Sequence, residues 1–475
     1  MIRVAAHSRG FLIASMILTL SACTGVDFDR SLAKVNTQAA DFTHGRLSLA
    51  RDPSTRAAMA QQASELLSAV LIEPAAVELA LVNSPGFQSL LARRWAATAE
   101  AAQSGRIANP VFSFERIRIL DEVEYGRLLS VHLSDLLTFP WRREVAQARI
   151  AAEEARLTRD VVVQVTAVRE AWIRAVAADE RLSHAVRVHD AAEASAELAR
   201  RMQAAGNFNT GERLRQHDFY ADAAVQLSLA KHAAKAGREA LIRRLGLSET
   251  QVPRLVLPER LPDLPPTPRT PQEVVAAARS GNLDLHLAQA RFRAAAKAQG
   301  LRRVTDVLDV EVGGRRDTVS GPAEGTEATG RGYELALTLP IFDVGDLKRE
   351  AMSAGTLAAA FDLEAALRDT ESRLRESYSA YRTAYDIARH YRQEIIPLHR
   401  LRAEENVLLY NGMLIGIFDL LADARAQTRA VMAAIDALEQ FWLADAALRA
   451  AMMGTGQGVT VGAPGAPEAA GDRNH

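Results

Sequence analysis

The chain has a single cysteine, Cys23, which excludes an intrachain disulfide framework. Aromatic residues make up only 5% of it. Neither sign of charge prevails, with 57 lysines and arginines against 58 aspartates and glutamates. That balance gives no support for a nucleic-acid partner, which favours a basic excess. Beyond the first 22 residues no apolar run reaches about 18, so no transmembrane helix is available there, and any bilayer crossing must use β-strands. The 11 histidines form no metal-ligand cluster. Phosphate loop, nucleophile elbow and catalytic triad are all missing, so the chain reads as a non-enzyme without metal or cofactor. What is abundant is alanine interleaved with charge, a composition that favours long, closely packed helices.

The N-terminus reads as an export signal over residues 1–22. Arg3 and Arg9 supply the positive start, and Phe11 to Leu20 an apolar run of about ten residues, too short to span a bilayer. Leu20-Ser21-Ala22-Cys23 resembles the bacterial lipobox, in which cleavage before the cysteine exposes it for acylation. Cys23 is the expected lipidation site, and the competing reading is a plain secretory signal with an incidental cysteine. Thr24, where inner-membrane retention uses aspartate, implies sorting to the outer membrane.

Residues 23–72 are weakly patterned and read as a tether leading into a small packed segment. From residue 73 the chain is organised as two repeats. The first, 73–246, reads as a helix, strands at 111–120 and 128–139, a long helix at 141–205, a hairpin and a returning helix. Asn109-Pro110 breaks the leading helix. The run from 141 to 205 has no proline or glycine and makes a rod of roughly 100 Å. Val161, Val165, Val168 and Trp172 fall at coiled-coil spacing. Val162, Ile173 and Val176 lie off that seam, so the helix needs neighbours on two sides. A linker, 247–271, carries seven prolines between Pro253 and Pro271. The second repeat, 272–453, has strands at 307–312 and 332–339, joined by a polar glycine-containing loop at 313–331. A long helix at 347–410 follows. The tail, 454–475, is rich in Gly, Ala and Pro and is expected to be disordered.

The duplication shows in residues as well as outline. Leu137-Thr138-Phe139-Pro140 matches Leu337-Thr338-Leu339-Pro340, and Gly206 matches Gly412. In each half the short helices sum to about the length of the long one, so two can stack beside it as in a tube wall. The strands alternate as transmembrane barrel strands do. Tyr333, Leu335 and Leu337 oppose Glu334, Ala336 and Thr338; Leu129 and Val131 oppose Ser130 and His132. Four strands cannot close a barrel, and open edges in lipid cost several kcal/mol per unpaired group. Strands must then come from other copies, and three copies give about twelve.

These pieces make the chain resemble the TolC-type outer-membrane efflux protein family, in its lipoprotein branch. Asn109-Pro110, the Leu-Thr-x-Pro strand ends, Leu261-Pro262-Asp263-Leu264-Pro265 and the segments Ala205 to Asn209 and Tyr410 to Gly416 carry the likeness. One departure is Thr305-Asp306 where the second hairpin lacks an Asn-Pro. The resemblance implies a mainly α protein with a small β part: a trimeric α-barrel of coiled-coil helices plus a 12-stranded β-barrel with four strands from each subunit. It implies a passive outer-membrane conduit that extends into the periplasm. Its partners would be a periplasmic adaptor protein and an inner-membrane pump of the resistance-nodulation-division type, exporting drugs or heavy-metal ions. Gly206, Asn207, Asn209, Asn411 and Gly412 would form the docking hairpin tips. Asp419 and Asp423, at i, i+4 on one helix face, would ring the periplasmic constriction. Phe139, Trp141 and Phe342 stand at strand-to-helix junctions and read as membrane-interface aromatics. The alternative reading is a lipid-anchored periplasmic coiled-coil scaffold without a pore.

Overall fold

The computed structural model describes residues 27–120, 122–305, 309–320, 327–338 and 341–456. The export signal, Cys23 and nearly all of the expected disordered tail lie outside these residues. The chain is mainly α-helical with one small antiparallel sheet, and it divides into two compact units. Among the described residues no helix is long and apolar enough to cross a membrane.

The first unit takes residues up to 31, then 93–157 and 285–367. It holds strands β1 (Val111–Ile119), β2 (Glu122–His132), β3 (Asp309–Ser320) and β4 (Glu327–Thr338), hydrogen-bonded in the order β1-β2-β3-β4. β3 and β4 are longer than the alternation pattern predicts, and β2 is displaced toward the N-terminus. The expected charged turn at 121–127 belongs mostly to β2, and most of the expected loop at 313–331 belongs to β3 and β4. Charged side chains are tolerated there because the strands present both faces to the surroundings, and the ladder is made by neighbours. At its other end β2 stops early. Residues 133–139, expected to be strand, open the long helix instead. Asp135 explains the switch: it favours a helix first turn, its carboxylate pairs with Arg142, and it accepts from the Ala108 N–H at 3.3 Å.

The second unit takes residues 32–92, 158–284 and 368 onward. The segment read as a tether contains helices α1 (Phe28–Gln38), α2 (Ala40–Thr43) and α3 (Pro53–Leu66), with Leu32, Val35 and Phe42 buried. The expected single helix beyond residue 73 is two, α4 (Glu73–Asn83) and α5 (Pro85–Gln103). Pro85 lacks a donor and pushes Ser84 into extended backbone at φ −75°, ψ 116°. The long helix α6 (Leu133–Ala204) contributes to both units and continues through Pro140. Its return partner is α7 (Thr210–Leu245). In the second repeat α8 (Pro271–Gly281) and α9 (Leu283–Thr305) are separated by Asn282, which with Gly281 makes a helix-ending pair. The long helix there is α10 (Asp346–His390), a wide π turn at Tyr391–Ile395, and α11 (Ile396–Asn411). Pro397 has no N–H to give to the preceding turn, and the wide turn absorbs that loss. Helix α12 (Ile417–Met452) completes the chain's regular structure.

The core of this second unit joins α8, α10 and α12 through Val274, Tyr381, Tyr385, Phe441 and Leu448. Phe441 meets Tyr381 and Tyr385 at ring separations of 5.5 and 5.7 Å. The aromatic polar atoms reach the proline-rich linker, whose carbonyls otherwise lack ladder partners. Tyr385 donates to the Pro265 and Pro266 carbonyls at 3.1 Å, and Trp442 Nε1 to the Pro262 carbonyl at 2.9 Å. Tyr378 donates to the Arg269 carbonyl, while the Arg269 N–H donates to Tyr381. In the first repeat Trp172 Nε1 donates to the Leu71 carbonyl at 2.8 Å.

Arg181 on α6 links to α12, donating to Asp436 at 2.7 Å and to Glu439. Burial opposes its charge, but Glu439 and Asp436 more than offset this and raise its pKa. Removing the cation strands a largely buried Glu439 carboxylate. Arg181→Met is therefore expected to destabilise the protein by about 3 kcal/mol. Adding Glu439→Gln should restore part of the loss, as read by thermal unfolding of the single and double variants.

Candidate functional site

The sheet carries the first candidate site. Its register runs without a break, so residues on one face can be followed across all strands. Val131, Val312 and Leu335 lie side by side, and the next row on that face is Phe112, Leu129, Gly314 and Tyr333. These make an apolar band, with Phe112 64%, Leu129 56% and Tyr333 89% exposed. The opposite face is polar: Ser130, Glu311, Glu334 and Asp317 belong to it, and the Ser130 hydroxyl donates to Glu311. β1 changes phase along its length. Phe112 and Phe114 sit on the apolar face while Ile117 and Ile119 sit on the other. β1 and β4 are the outer strands, and each leaves one edge of main-chain N–H and C=O groups without a strand partner among the described residues.

At the end of the sheet near the helices, several large apolar side chains are exposed. Trp141 is 48% exposed and Phe342 fully so, with Leu137 and Ile341 beside them in sequence at 66% and 71%. Phe139 is half-buried. Phe139 and Trp141 lie within α6, not at the strand end where the sequence suggests them. Phe342 precedes α10 in irregular backbone.

The helix-turn tips of the second unit form the other candidate site. Gly206 turns the first at φ +81°, a left-handed angle that costs glycine little. Asn207 is exposed in that turn. Asn209 caps α7: its side chain accepts from the Glu212 N–H and Glu212 accepts from the Asn209 N–H, both at 2.8 Å. The second tip is built differently. Asn411 ends α11, and Gly412 sits at φ −77°, where any residue is accommodated. The left-handed position is Met413, at φ +60°. Met413 and Leu414 are 93% and 73% exposed, an apolar point at the tip.

Asp419 and Asp423 follow on α12 but do not share an exposed face. Asp419 is exposed and accepts from the Gly416 N–H at 3.2 Å, capping the helix start. Asp423 is only 4% exposed, with Arg402 of α11 2.9 Å from its carboxylate. Nearby, Arg425 reaches the Arg215 carbonyl and Gln216 of α7 at 3.2 Å and stacks on Phe219. The i, i+4 spacing is right for one face; packing of α11 against α12 covers one of the two.

Elsewhere in the second unit a cavity of about 510 Å³ is bordered by Arg169, Trp172, Trp442, Asp445 and Arg449. Its charges are compensated internally. Arg169 lies 2.7 Å from Glu73, and Arg449 2.6 Å from Asp445. Burial lowers the Arg169 pKa, with Glu73 working the other way. Among the described residues no group of three His, Cys, Asp or Glu side chains is placed to hold a metal ion. The two tips give a direct test of backbone strain. Met413→Gly should stabilise by about 1 kcal/mol, since it removes the cost of a side chain in left-handed backbone. Gly206→Ala should destabilise by a similar amount, about 1 kcal/mol. Denaturant midpoints of the two variants check the opposite signs.

No protein-family profile matches the sequence, and no curated protein matches it either. Solved structures do. The chain is similar to a membrane protein from Pseudomonas aeruginosa, with TM-score 0.66 at 18% identity, covering 82% of this chain and 93% of that one. It is similar to the outer membrane protein VceC from Vibrio cholerae, with TM-score 0.65 at 16% identity over 83% of this chain and 96% of that one. The Campylobacter jejuni CmeC outer membrane channel gives TM-score 0.63 at 13% identity over 84% and 87%. Long α-helices, one four-stranded antiparallel sheet and these likenesses together establish that the chain has the TolC-like fold of outer-membrane channel proteins.

Proposed function

We propose that the chain is one subunit of an outer-membrane efflux duct, a passive conduit and not an enzyme. The observation that carries this reading is the sheet: four strands, two unpaired edges, and an exposed apolar face opposite a polar one. In hydrocarbon the edge groups must find partners. Pairing β1 of one copy with β4 of the next satisfies both edges at once. Three copies then close a barrel of about twelve strands, with the apolar band toward lipid and the polar face toward the lumen. Acylation at Cys23 would add a second hold on the membrane. The exposed Trp141, Ile341 and Phe342, with Phe139 half-buried beside them, suit its periplasmic interface.

On this reading the helices reach into the periplasm, where the tips at Gly206, Asn207 and Asn209 and at Asn411 and Gly412 dock a periplasmic adaptor. The exposed Met413 and Leu414 suit a hydrophobic partner surface. Asp419 and the Asp423–Arg402 pair border the narrow mouth, with Asp419 supplying free negative charge. The adaptor links the duct to an inner-membrane pump of the resistance-nodulation-division type, and the cargo is a drug or heavy-metal ion chosen by that pump.

The purified protein is expected to run as a heat-modifiable trimer in detergent and to conduct ions in planar bilayers. A monomer that leaves the membrane without detergent after Cys23→Ser, and that shows no conductance, would overturn the proposal in favour of a poreless periplasmic scaffold.

A further inference from the structure

The apolar face of the sheet changes character abruptly toward its turns. After the row Phe112, Leu129, Gly314 and Tyr333, the next row on the same face is Phe114, Arg127, Arg316 and Arg331. Three arginines thus stand on three adjacent strands, about 5 Å from one strand to the next. In the next two rows β1 adds Arg116 and then Arg118 to this face. Like charges directly opposite one another in a sheet destabilise it.

Among the described residues no carboxylate pairs with these arginines. Arg127 donates to the Thr318 hydroxyl at 3.3 Å, and Arg116 lies 5.9 Å from the Tyr125 ring centroid. Among the described residues none of the five arginines belongs to an ion pair, and Glu327 is the one acidic strand residue on this face. The polar face is the reverse. Its single strand arginine, Arg315, is 2.9 Å from Asp317 and 3.9 Å from Glu334. The sheet therefore segregates charge: carboxylates with one compensated arginine on the polar face, uncompensated guanidinium groups at the border of the apolar band.

That border has a defined height. From Leu337 to Arg331 along β4 is six residues, or roughly 20 Å, close to the ≈ 25 Å apolar band of a membrane barrel. The row lies toward the strand turns, away from the helices. If the helices are periplasmic, as the proposed function holds and on which this inference rests, the row meets the headgroups of the outer leaflet. Guanidinium groups bind phosphate oxygens in bidentate fashion and are weakly hydrated, which suits them to a phosphate at an apolar boundary.

We propose that Arg127, Arg316 and Arg331 form a binding row for the phosphate groups of the outer-leaflet glycolipid. The lipid's acyl chains lie along Phe112, Leu129 and Tyr333. One phosphorylated headgroup spans neighbouring strands and relieves the repulsion between them.

The test uses the full-length protein purified as its detergent oligomer. Native mass spectrometry compares binding of bisphosphorylated lipid A with its dephosphorylated form. The wild type is expected to hold the bisphosphorylated lipid at least about tenfold more tightly. The triple variant R127Q/R316Q/R331Q is expected to lose that preference, and R127K/R316K/R331K to keep part of it. Equal binding of the two lipids by the wild type overturns the proposal, as does an unchanged preference in the glutamine variant. Inorganic phosphate that displaces the lipid at equal concentration overturns the assignment to a lipid. If the glutamine variant does not fold, the wild-type comparison and the lysine variant still decide. Oligomeric state and conductance of the wild type report separately on the duct itself, so a failed duct and a failed lipid row give different results.

Discussion

A sheet edge is a row of main-chain donors and acceptors waiting for partners, and the rest of this protein's assembly depends on where those partners come from. β1 and β4 each leave such a row. Water can satisfy it cheaply; hydrocarbon cannot, at several kcal/mol for each unpaired group. On the proposed function the apolar band on one face lies in hydrocarbon, and the edges then demand a neighbour. On that proposal, oligomerisation follows from hydrogen bonding before any helix is considered, and the helices inherit the symmetry that the strands impose.

The helical part meets a different requirement. A chain with few aromatics and much alanine packs helices closely but gains little from each contact. The second unit concentrates its rings in one place, around Phe441, and uses their polar atoms to hold the linker. Burial of ring area and satisfaction of backbone carbonyls are thus done by the same side chains. Across the α6–α12 contact, Arg181 does the equivalent with charge, and it remains ionised because two carboxylates face it.

Much of this was legible in the residues. The two long helices, the two hairpins of strand and the repeat could be read from the absence of breakers, the period-2 alternation and the Leu-Thr-x-Pro ends. Strand extent could not. Arg127, Arg316 and Arg331 look like loop residues because charge is normally a sign of solvent, yet they keep the phase of Leu129 and Tyr333, two residues away in β2 and β4. Reading phase through the charged stretch would have found them. The helical start at Leu133 was hidden because Leu, Phe and Trp suit a strand as well as a helix; only the reach of Asp135 to Arg142 decides it. At the second tip the glycine drew attention, while its neighbour Met413 takes the strained angle. Asp423 looked like the twin of Asp419 until α11 covered it with Arg402.

The linker between the repeats is held through its carbonyl oxygens, by Tyr378, Tyr385 and Trp442. Recognition of this kind reads the path of the main chain and ignores what hangs from it. Leu261, 2% exposed, and Leu264, packed on the core, hold the string as well; an exposed position such as Thr267 is free to drift, whereas the three aromatic clasps are not. A constraint that seems to belong to a proline-rich string is in truth written 109 to 180 residues downstream, in α10 and α12.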